Sequence, residues 1–273
     1  MRTKVNYIDI IDELGAGGTA SVYLGIDNHS GFPVAVKVLH KSLFKNDFIK
    51  KKFIAEANHY VYLRHPNIVQ LKDLIIKEDA IYLVMEYVDG DTLEDYINKI
   101  SGPIPEEIAI PILKEILLAI EYAHNKKVIH LDIKPSNIMI TKDGDLKVLD
   151  FGISADLNLD NNDPTMGSPM YMSPEQVSGE KLDLKSDIYS LGITFFQMLT
   201  AKFPYKLNLS REELFKSIKY GDLKKINDFV PWGSKECQNI INKATEKTTY
   251  LRYKDCKKFI QDVKKLEQVH EAG

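Results

Sequence analysis

The stretch that decides the fold reads Val-Ile-His-Leu-Asp-Ile-Lys-Pro-Ser-Asn at residues 128–137, and Asp-Phe-Gly follows it at residues 150–152. The surrounding chain has an ordinary composition: 273 residues, 44% hydrophobic and 27% charged, with a formal net charge of −3. These proportions exclude a disordered or fibrous protein, because the apolar surface is sufficient to offset the conformational entropy of folding. The weak net charge creates no global field that attracts nucleic acid or anionic lipid, so we expect no nucleic-acid partner.

A short β-hairpin is predicted between these two stretches. Asp143-Gly144 separates two β-type runs, 138–141 and 146–149, and Asp-Gly is a strong indicator of a two-residue hairpin turn. In that register Asn137 lies directly opposite Asp150, with about 5 Å between the Cβ atoms. An amide oxygen and a carboxylate so placed can share a Mg²⁺ ion, which takes few protein ligands and prefers oxygen. The alternative is a hairpin that merely begins and ends with polar residues.

Farther from the hairpin, the pattern of the chain changes near residue 88. Residues 1–88 show the period-two alternation typical of strands, as at 34–39, and one helix is predicted at about 46–64. Residues 89–273 show the longer periods of helices. The helices predicted in this second part are 107–125, 187–201, 211–220, 235–245 and 255–267.

Cysteine content and hydropathy bear on the compartment. The two cysteines, Cys237 and Cys256, are too few for a disulfide framework, which favours a reducing, cytoplasmic location. The longest run without a charged residue, 188–201, is too short to span a bilayer and is interpreted as a buried helix. We therefore expect no membrane segment in this chain. Its oligomeric state, and whether a linker and membrane anchor follow Gly273, are left open.

A glycine-rich segment, Gly-Ala-Gly-Gly-Thr-Ala-Ser-Val, occupies residues 15–22 between two strand-like runs. Glycines let backbone N–H groups approach phosphate oxygens without obstruction by a Cβ atom. Strands on both sides argue against a dinucleotide-binding fold, in which a helix follows the loop. Taken alone, the segment also fits an unspecialised hairpin.

A buried ion pair is predicted between Lys37 and Glu56. Lys37 lies on a predicted strand, and Glu56 shares one face of the predicted helix with aromatic and aliphatic residues. A carboxylate within an apolar stripe is costly unless a cation meets it, which favours the pairing. Two solvated surface charges are the alternative.

Taken in chain order, these segments resemble the eukaryotic-type protein kinases, specifically their Ser/Thr branch, and look most like its bacterial members. The resemblance covers the chain from Leu14 to about Asp262. It implies an α+β bilobal fold with a small β-rich N-terminal lobe carrying one main helix (1–88) and a larger α-helical C-terminal lobe (89–273). The matching motifs are the glycine-rich loop, Lys37, Glu56, the HxDxKxxN run from His130, DFG at 150–152, Ser173-Pro174-Glu175 in place of Ala-Pro-Glu, Asp187 and Arg252.

The resemblance implies transfer of the ATP γ-phosphoryl group to Ser/Thr hydroxyls of protein substrates, including the chain itself. Asp132 would accept the proton of the substrate hydroxyl, and Lys134 would contact the γ-phosphate. Lys37 would hold the α/β-phosphates, with Glu56 orienting it.

The resemblance also implies the two small ligands, ATP and Mg²⁺. Asn137 and Asp150 would hold the metal ion, in agreement with the hairpin argument. The nucleotide-binding residues that it implies are Leu14, Gly15, Ala16, Gly17, Gly18, Val22, Ala35, Lys37, Met85, Glu86, Val88, Met139 and Asp150.

Further contacts follow from the same resemblance. Glu175 and Arg252 would form a buried ion pair whose role is structural. The hydroxyl of Ser168 would form hydrogen bonds with Asp132 and Lys134.

The chain departs from the family at positions that matter for regulation. Leu131 stands where an Arg usually precedes the catalytic Asp, and Ala155 replaces a basic residue often found after the DFG glycine. Both cations commonly receive the phosphate of a phosphorylated activation loop. Because Lys52 is the one candidate left to meet a phosphate on Thr165, we expect the unphosphorylated chain to be competent already. The third loop glycine is Ala20, a common replacement that leaves phosphate binding little affected.

Two other functions are compatible with parts of the pattern. A catalytically silent nucleotide-binding scaffold would be expected to lack at least one polar residue of the site. A small-molecule phosphotransferase shares the His-x-Asp…Asn loop but would not be expected to carry the Ser-Pro-Glu run or Asp187. The six polar residues, all present, are Lys37, Glu56, Asp132, Lys134, Asn137 and Asp150.

Overall fold

The alternating residues of the N-terminal part form a six-stranded antiparallel sheet in the computed structural model, which describes residues 4–151, 168–206 and 208–272. The chain divides into two compact units, residues 1–89 and 90–273. The sheet belongs to the smaller unit, and its strands follow the order β1-β2-β3-β4-β6-β5. They are β1 (Lys4–Val5), β2 (Ile8–Ala16), β3 (Ala20–Asp27), β4 (Pro33–Leu39), β5 (Leu71–Ile76) and β6 (Ile81–Glu86).

One main helix, α1 (Asp47–Tyr62), accompanies this sheet, as predicted. It begins at Asn46, whose side chain accepts hydrogen bonds from the backbone N–H groups of Phe48 and Ile49. The face that carries Glu56 is buried, because its apolar neighbours pack inward. Those neighbours are Phe53, Ala57 and Tyr60.

Helices dominate the larger unit, so the predicted α+β class is confirmed. The longest are α3 (Glu106–Asn125), α5 (Leu184–Thr200) and α8 (Cys256–Ala272). The shorter helices are α2 (Leu93–Asp95), α4 (Pro174–Ser178), α6 (Arg211–Tyr220) and α7 (Lys235–Ala244).

The predicted uncharged helix is the core of this unit. In α5, every residue from Ser186 to Thr200 is buried. The helix begins at Asp183, whose side chain accepts the backbone N–H of Lys185. Among the described residues, no helix is both long and apolar enough to cross a membrane. Both cysteines are buried free thiols.

The predicted hairpin is present, but its predicted register was wrong by one residue. Strands β8 (Ile138–Thr141) and β9 (Leu146–Val148) pair so that Ile138 faces Val148, and β8 also pairs with β7 (Gly90–Thr92). The loop has three residues and ends on Gly144, at φ +90°, which is typical of a turn followed by a left-handed glycine. Leu149 therefore lies across from Asn137 and donates its N–H to the Asn137 carbonyl, and Asp150 follows one residue later.

The predicted ion pair between Glu175 and Arg252 is confirmed and is bidentate. The two guanidinium nitrogens of Arg252 lie 2.7 and 2.8 Å from the two oxygens of Glu175, and both side chains are buried. Burial alone would raise the pKa of the Glu175 carboxyl, but the hydrogen bonds and charge of Arg252 outweigh it and hold the pKa below its ordinary value of 4.5.

Arg252→Met should destabilise the larger unit by about 3–5 kcal/mol at pH 7, because it leaves the buried Glu175 carboxylate without its cation. Because the pKa of Glu175 is lower in the folded chain than in the unfolded chain, its ionised form stabilises the fold at pH values above the ordinary carboxyl pKa. This stabilisation is lost as the pH falls through the pKa of the folded chain. The difference in the free energy of unfolding between wild type and Arg252→Met should therefore become smaller as the pH is lowered. Urea unfolding from pH 7 to pH 4 measures both effects. The exposed Arg211→Met is the control, and an equal loss in both variants would contradict the assignment.

Candidate active site

Asp132 is the centre of a converging set of donors in the larger unit. Its Oδ2 atom accepts hydrogen bonds from Nζ of Lys134 at 2.7 Å and from Nδ2 of Asn137 at 3.1 Å. Its Oδ1 atom accepts the backbone N–H of Ser168 at 2.9 Å. Asn137 also donates to the backbone carbonyl of Asp132. The carboxylate is therefore fixed in orientation and surrounded by positive potential.

The backbone before Asp132 is held by a buried carboxylate from α5. Asp187 accepts the N–H groups of His130 at 2.8 Å and of Leu131 at 2.7 Å, and its Oδ2 atom lies 2.7 Å from Nε2 of His124. Leu131 has φ +64°, a left-handed conformation that non-glycine residues rarely adopt. Such strain persists only where the surroundings fix the backbone, and Asp187 provides part of that restraint.

His130 supports the same turn through both ring nitrogens. Nδ1 accepts the backbone N–H of Asp132 at 3.3 Å, and Nε2 lies 2.8 Å from the carbonyl oxygen of Leu149. Because a carbonyl can only accept, the proton of the neutral ring is assigned to Nε2. The ring also packs on Phe151 with centroids 4.5 Å apart. His130 thus connects the loop of Asp132 to the end of the hairpin.

The contacts of Ser168 differ in one respect from the prediction. Its hydroxyl accepts a hydrogen bond from Lys134 at 2.6 Å, as predicted. The contact with Asp132 is made by the backbone N–H of Ser168 and not by the hydroxyl. The extended backbone at this residue directs the N–H toward the carboxylate while the side chain lies beside the ammonium group.

The oxygen atoms of Asn137 and Asp150 fit a hard divalent cation. Asn137 uses its amide nitrogen on Asp132, so its amide oxygen is the atom suited to a metal. Asp150 follows the hairpin at φ +55° and adds a carboxylate from the same unit. An amide oxygen and a carboxylate, completed by phosphate oxygens and water, are the ligand set typical of Mg²⁺.

In the smaller unit, the predicted pairing of Lys37 with Glu56 is confirmed. Nζ of Lys37 on β4 lies 2.8 Å from Oε1 of Glu56 on α1. The Glu56 side chain is 4% exposed and that of Lys37 is 12% exposed, so both charges are largely removed from water. The pair holds the ammonium group at a defined place on the sheet.

The glycine-rich segment is the turn between β2 and β3. The N–H of Gly17 donates to the carbonyl of Ala20 at 2.8 Å, which closes the turn. A Cβ atom added at Gly15 or Gly18 would meet nothing within 4 Å, and neither residue has a positive φ. Within the smaller unit, steric packing therefore does not require glycine at these two positions. The open space beside them lets a ligand approach the backbone.

The other predicted nucleotide-binding residues are distributed over both units. Ala35 and Met85 face each other on neighbouring strands, and Val22 faces Lys37 across β3 and β4. The N–H of Glu86 donates to the carbonyl of Gln70, the residue before β5. The smaller unit contains Leu14, Gly15, Ala16, Gly17, Gly18, Val22, Ala35, Met85, Glu86 and Val88, and the larger unit contains Met139 and Asp150.

The regulatory predictions fall partly outside the described residues. Ala155 and Thr165 lie there, as do Gly152 and the side chain of Lys52. Leu131 is described: its side chain is buried and packs with Ile129 and Leu182. An apolar contact thus occupies the position where the resemblance predicts an Arg.

Sequence reasoning missed Gln176. Its Nε2 atom donates to the backbone carbonyl of Leu131 at 3.0 Å, and this hydrogen bond connects Gln176 to the loop that carries Asp132. The pattern Ser-x-x-Gln from Ser173 identifies a helix capping box, so the cap was detectable. The second bond joins residues 45 positions apart, and no local pattern indicates it.

Comparison with known proteins finds similarity over most of the chain. Residues 8–265 match the protein kinase domain family. A probable serine/threonine-protein kinase PknB of Lactococcus lactis is 37% identical over 258 residues, which is 93% of this chain and 41% of that protein. Serine/threonine-protein kinase PrkC of Bacillus subtilis is 37% identical over 260 residues, 93% of this chain and 40% of that protein. A probable serine/threonine-protein kinase of Clostridium perfringens is 35% identical over 268 residues. This chain therefore spans about two fifths of the length of these relatives.

Proposed function

The chain belongs to the protein kinase family, and on that premise we propose that it transfers the γ-phosphoryl group of ATP to Ser or Thr hydroxyls of protein substrates. The observation that carries the proposal is the contact set of Asp132, Lys134 and Ser168. In it, the Asp132 carboxylate accepts hydrogen bonds from the Lys134 ammonium group and from the backbone N–H of Ser168, and Lys134 also donates to the Ser168 hydroxyl. Positioning and charge stabilisation are what phosphoryl transfer requires of a protein.

Asp132 is the proposed acceptor of the substrate proton. A carboxylate offers about four acceptor sites, and Lys134, Asn137 and Ser168 supply three donors from the described chain. The remaining site suits the hydroxyl of a Ser or Thr. As the oxygen of that hydroxyl bonds to the γ-phosphorus, the bond from this phosphorus to the β–γ bridging oxygen of ATP breaks, ADP leaves and the hydroxyl proton moves to Asp132. The three donors keep the carboxylate oriented before the substrate arrives.

Lys134 is the proposed cation at the transferred phosphoryl group. Its ammonium group has three donors, of which one is directed to Asp132 and one to the Ser168 hydroxyl. A third can meet a γ-phosphate oxygen and stabilise charge as it develops in the transition state. Lys134 thus links the base and the phosphoryl group.

The proposed nucleotide contacts are assigned residue by residue. Lys37, oriented by Glu56, would contact the α/β-phosphates, and the backbone of residues 15–18 would cover them. When bound, Mg²⁺ supplies charge neutralisation between the phosphates. Asn137 and Asp150 are the residues proposed to hold it.

Asp150→Asn should raise the Mg²⁺ concentration needed for half-maximal activity by about tenfold, because a charged ligand is replaced by a neutral one. Asn137→Ala should instead lower kcat even at saturating Mg²⁺, since the amide also orients Asp132. Titration of activity with Mg²⁺ at fixed ATP separates the two patterns. The exposed Asp143→Asn serves as the control. If both variants lost activity equally at every Mg²⁺ concentration, the assignment of Asn137 and Asp150 as metal ligands would be wrong.

Radiolabelled ATP with a generic basic protein tests the proposed function. The expected result is label on Ser and Thr of the added protein, and on the kinase itself, which disappears in Asp132→Asn. Nucleotide binding without transfer would identify a silent scaffold. Label confined to an added small-molecule acceptor would identify a different phosphotransferase.

A cytoplasmic location is part of the same proposal. It is supported by Cys237 and Cys256, both buried and free, which fit a reducing compartment. Fractionation of the producing cells, with immunodetection of the protein, tests this location.

A further inference from the structure

The peptide group that joins Leu131 to Asp132 is held from both sides. Its N–H, on Asp132, donates to Nδ1 of His130 at 3.3 Å. Its carbonyl, on Leu131, accepts Nε2 of Gln176 at 3.0 Å. A peptide flip at this point changes ψ of Leu131 and φ of Asp132, and it would break both of these hydrogen bonds. The left-handed φ of Leu131 belongs to its N–Cα bond, which the flip does not turn.

The side chain of Gln176 makes two hydrogen bonds with different roles: one caps helix α4, and the other holds the carbonyl of Leu131. Its Oε1 atom accepts the backbone N–H of Ser173 at 2.9 Å, and its own backbone N–H donates to the Ser173 hydroxyl at 3.4 Å. These two bonds form the capping box at the start of α4. The amide nitrogen is not needed for the cap and is directed instead to Leu131. The residue is 7% exposed, so neither end of its side chain has ready access to water.

The segment that begins at Ser168 thus touches the loop of Asp132 at two points. At its start, the N–H of Ser168 donates to the Asp132 carboxylate. At its end, Gln176 donates to the peptide carbonyl immediately before Asp132. The first contact orients the carboxylate, and the second fixes the backbone that carries it. The two contacts act on different rotatable bonds, so neither replaces the other.

We propose that Gln176 is a positioning residue for phosphoryl transfer. Its side-chain amide keeps the Leu131–Asp132 peptide in the orientation that directs Asp132 toward the substrate hydroxyl, and it couples that orientation to the segment from Ser168 to Gln176. This inference rests on the proposed function of Asp132 as the proton acceptor. It assigns a specific need for a donor at position 176, beyond the need for a helix cap.

Gln176→Glu separates the two tasks. The carboxylate keeps an oxygen for the N–H of Ser173, so the cap remains, but it places a second acceptor against the carbonyl of Leu131. Gln176→Ala removes both contacts. Ser173→Ala is the matched control, because it removes one cap bond and leaves the bond from Gln176 to Leu131 in place.

At pH 8, Gln176→Glu should lower kcat by about tenfold, as expected for one lost positioning hydrogen bond, with KM for ATP changed less than about twofold. Ser173→Ala should keep kcat within about twofold of wild type. Lowering the pH protonates the introduced carboxyl and restores a donor. The kcat of Gln176→Glu relative to wild type should therefore rise on acidification, whereas the ratio for Gln176→Ala should stay flat.

A purely structural role predicts a different outcome. If Gln176→Glu and Ser173→Ala lose thermal stability alike and both keep kcat, Gln176 is only a cap. A flat pH ratio for Gln176→Glu would also overturn the need for a donor.

Hydrogen exchange of the Asp132 amide provides a readout independent of turnover. It should be faster in Gln176→Glu than in wild type by about tenfold, since the peptide is released on one side. Unchanged exchange would overturn the positioning role even in an active enzyme. A wild type without phosphotransfer would instead overturn the proposed function, while the exchange result still reports on the peptide.

Discussion

Asp132→Asn should lower kcat by about 10²–10⁴-fold, the range expected for loss of a general base. The effect has two parts. The amide cannot take the proton of the substrate hydroxyl, and it also presents an NH₂ group to a site built from donors. Ser168 donates to one oxygen of Asp132, and Lys134 and Asn137 donate to the other, so either orientation of the amide opposes at least one donor.

The Michaelis constants distinguish loss of the base from general damage to the site. In Asp132→Asn, KM for ATP should change less than about twofold, because the proposed role of Asp132 is to contact the substrate hydroxyl and not the nucleotide. The same substitution at the exposed Asp145 is the matched control and should leave kcat unchanged. A kcat for Asp132→Asn within about tenfold of wild type would mean that another group accepts the proton.

The features that sequence alone predicted are those set by local periodicity and burial. Helix α1 and the pairing of Lys37 with Glu56 follow from one argument: a carboxylate on an apolar helix face needs a cation. The same logic applies to α5, whose uncharged run is too short for a membrane and too apolar for a surface.

The hairpin register was not fixed by the sequence, because Asp-Gly fits two turn geometries. In a two-residue turn, the loop would consist of Asp143 and Gly144 alone. In the observed three-residue turn, the loop begins at Lys142 and ends at Gly144. The choice shifts every pair by one residue. It moves Asp150 out of register with Asn137, so the proposed metal site depends on the conformation of Asp150 beyond the strand and not on cross-strand pairing.

The contacts around Leu131 depend on residues far away in the chain. The sequence shows that Leu131 stands where the family usually has an Arg. It does not show which residues contact Leu131 in the folded chain. In the structure, Asp187, Gln176 and Leu182 meet the backbone or side chain of Leu131 from 45 or more positions away. No local pattern encodes these contacts. They fix the loop of Asp132 through residues of the larger unit, and the competence of the unphosphorylated chain stays a prediction.

Lys37→Met should lower kcat/KM for ATP by at least about a hundredfold, as is typical when a charged group that stabilises the transition state is removed. Methionine keeps most of the apolar stem on β4, so the sheet should form normally. The change removes the ammonium partner of the buried Glu56, which should cost about 1–3 kcal/mol of stability. Lys72→Met, the same change at an exposed position of β5, should leave both activity and stability unchanged. A near-normal kcat/KM in Lys37→Met would remove this lysine from the site.

Glu56→Gln tests whether the carboxylate acts through the lysine. Alone, it should lower kcat/KM by about tenfold, because Lys37 keeps its charge and loses its firm 2.8 Å anchor. Combined with Lys37→Met, it should cost little more, since two residues that act as a unit are not additive. Measuring kcat/KM for the four combinations gives the coupling directly. A further tenfold loss in the double variant would show that Glu56 acts on something other than Lys37, because the carboxylate would then matter in a protein that has no ammonium group for it to orient.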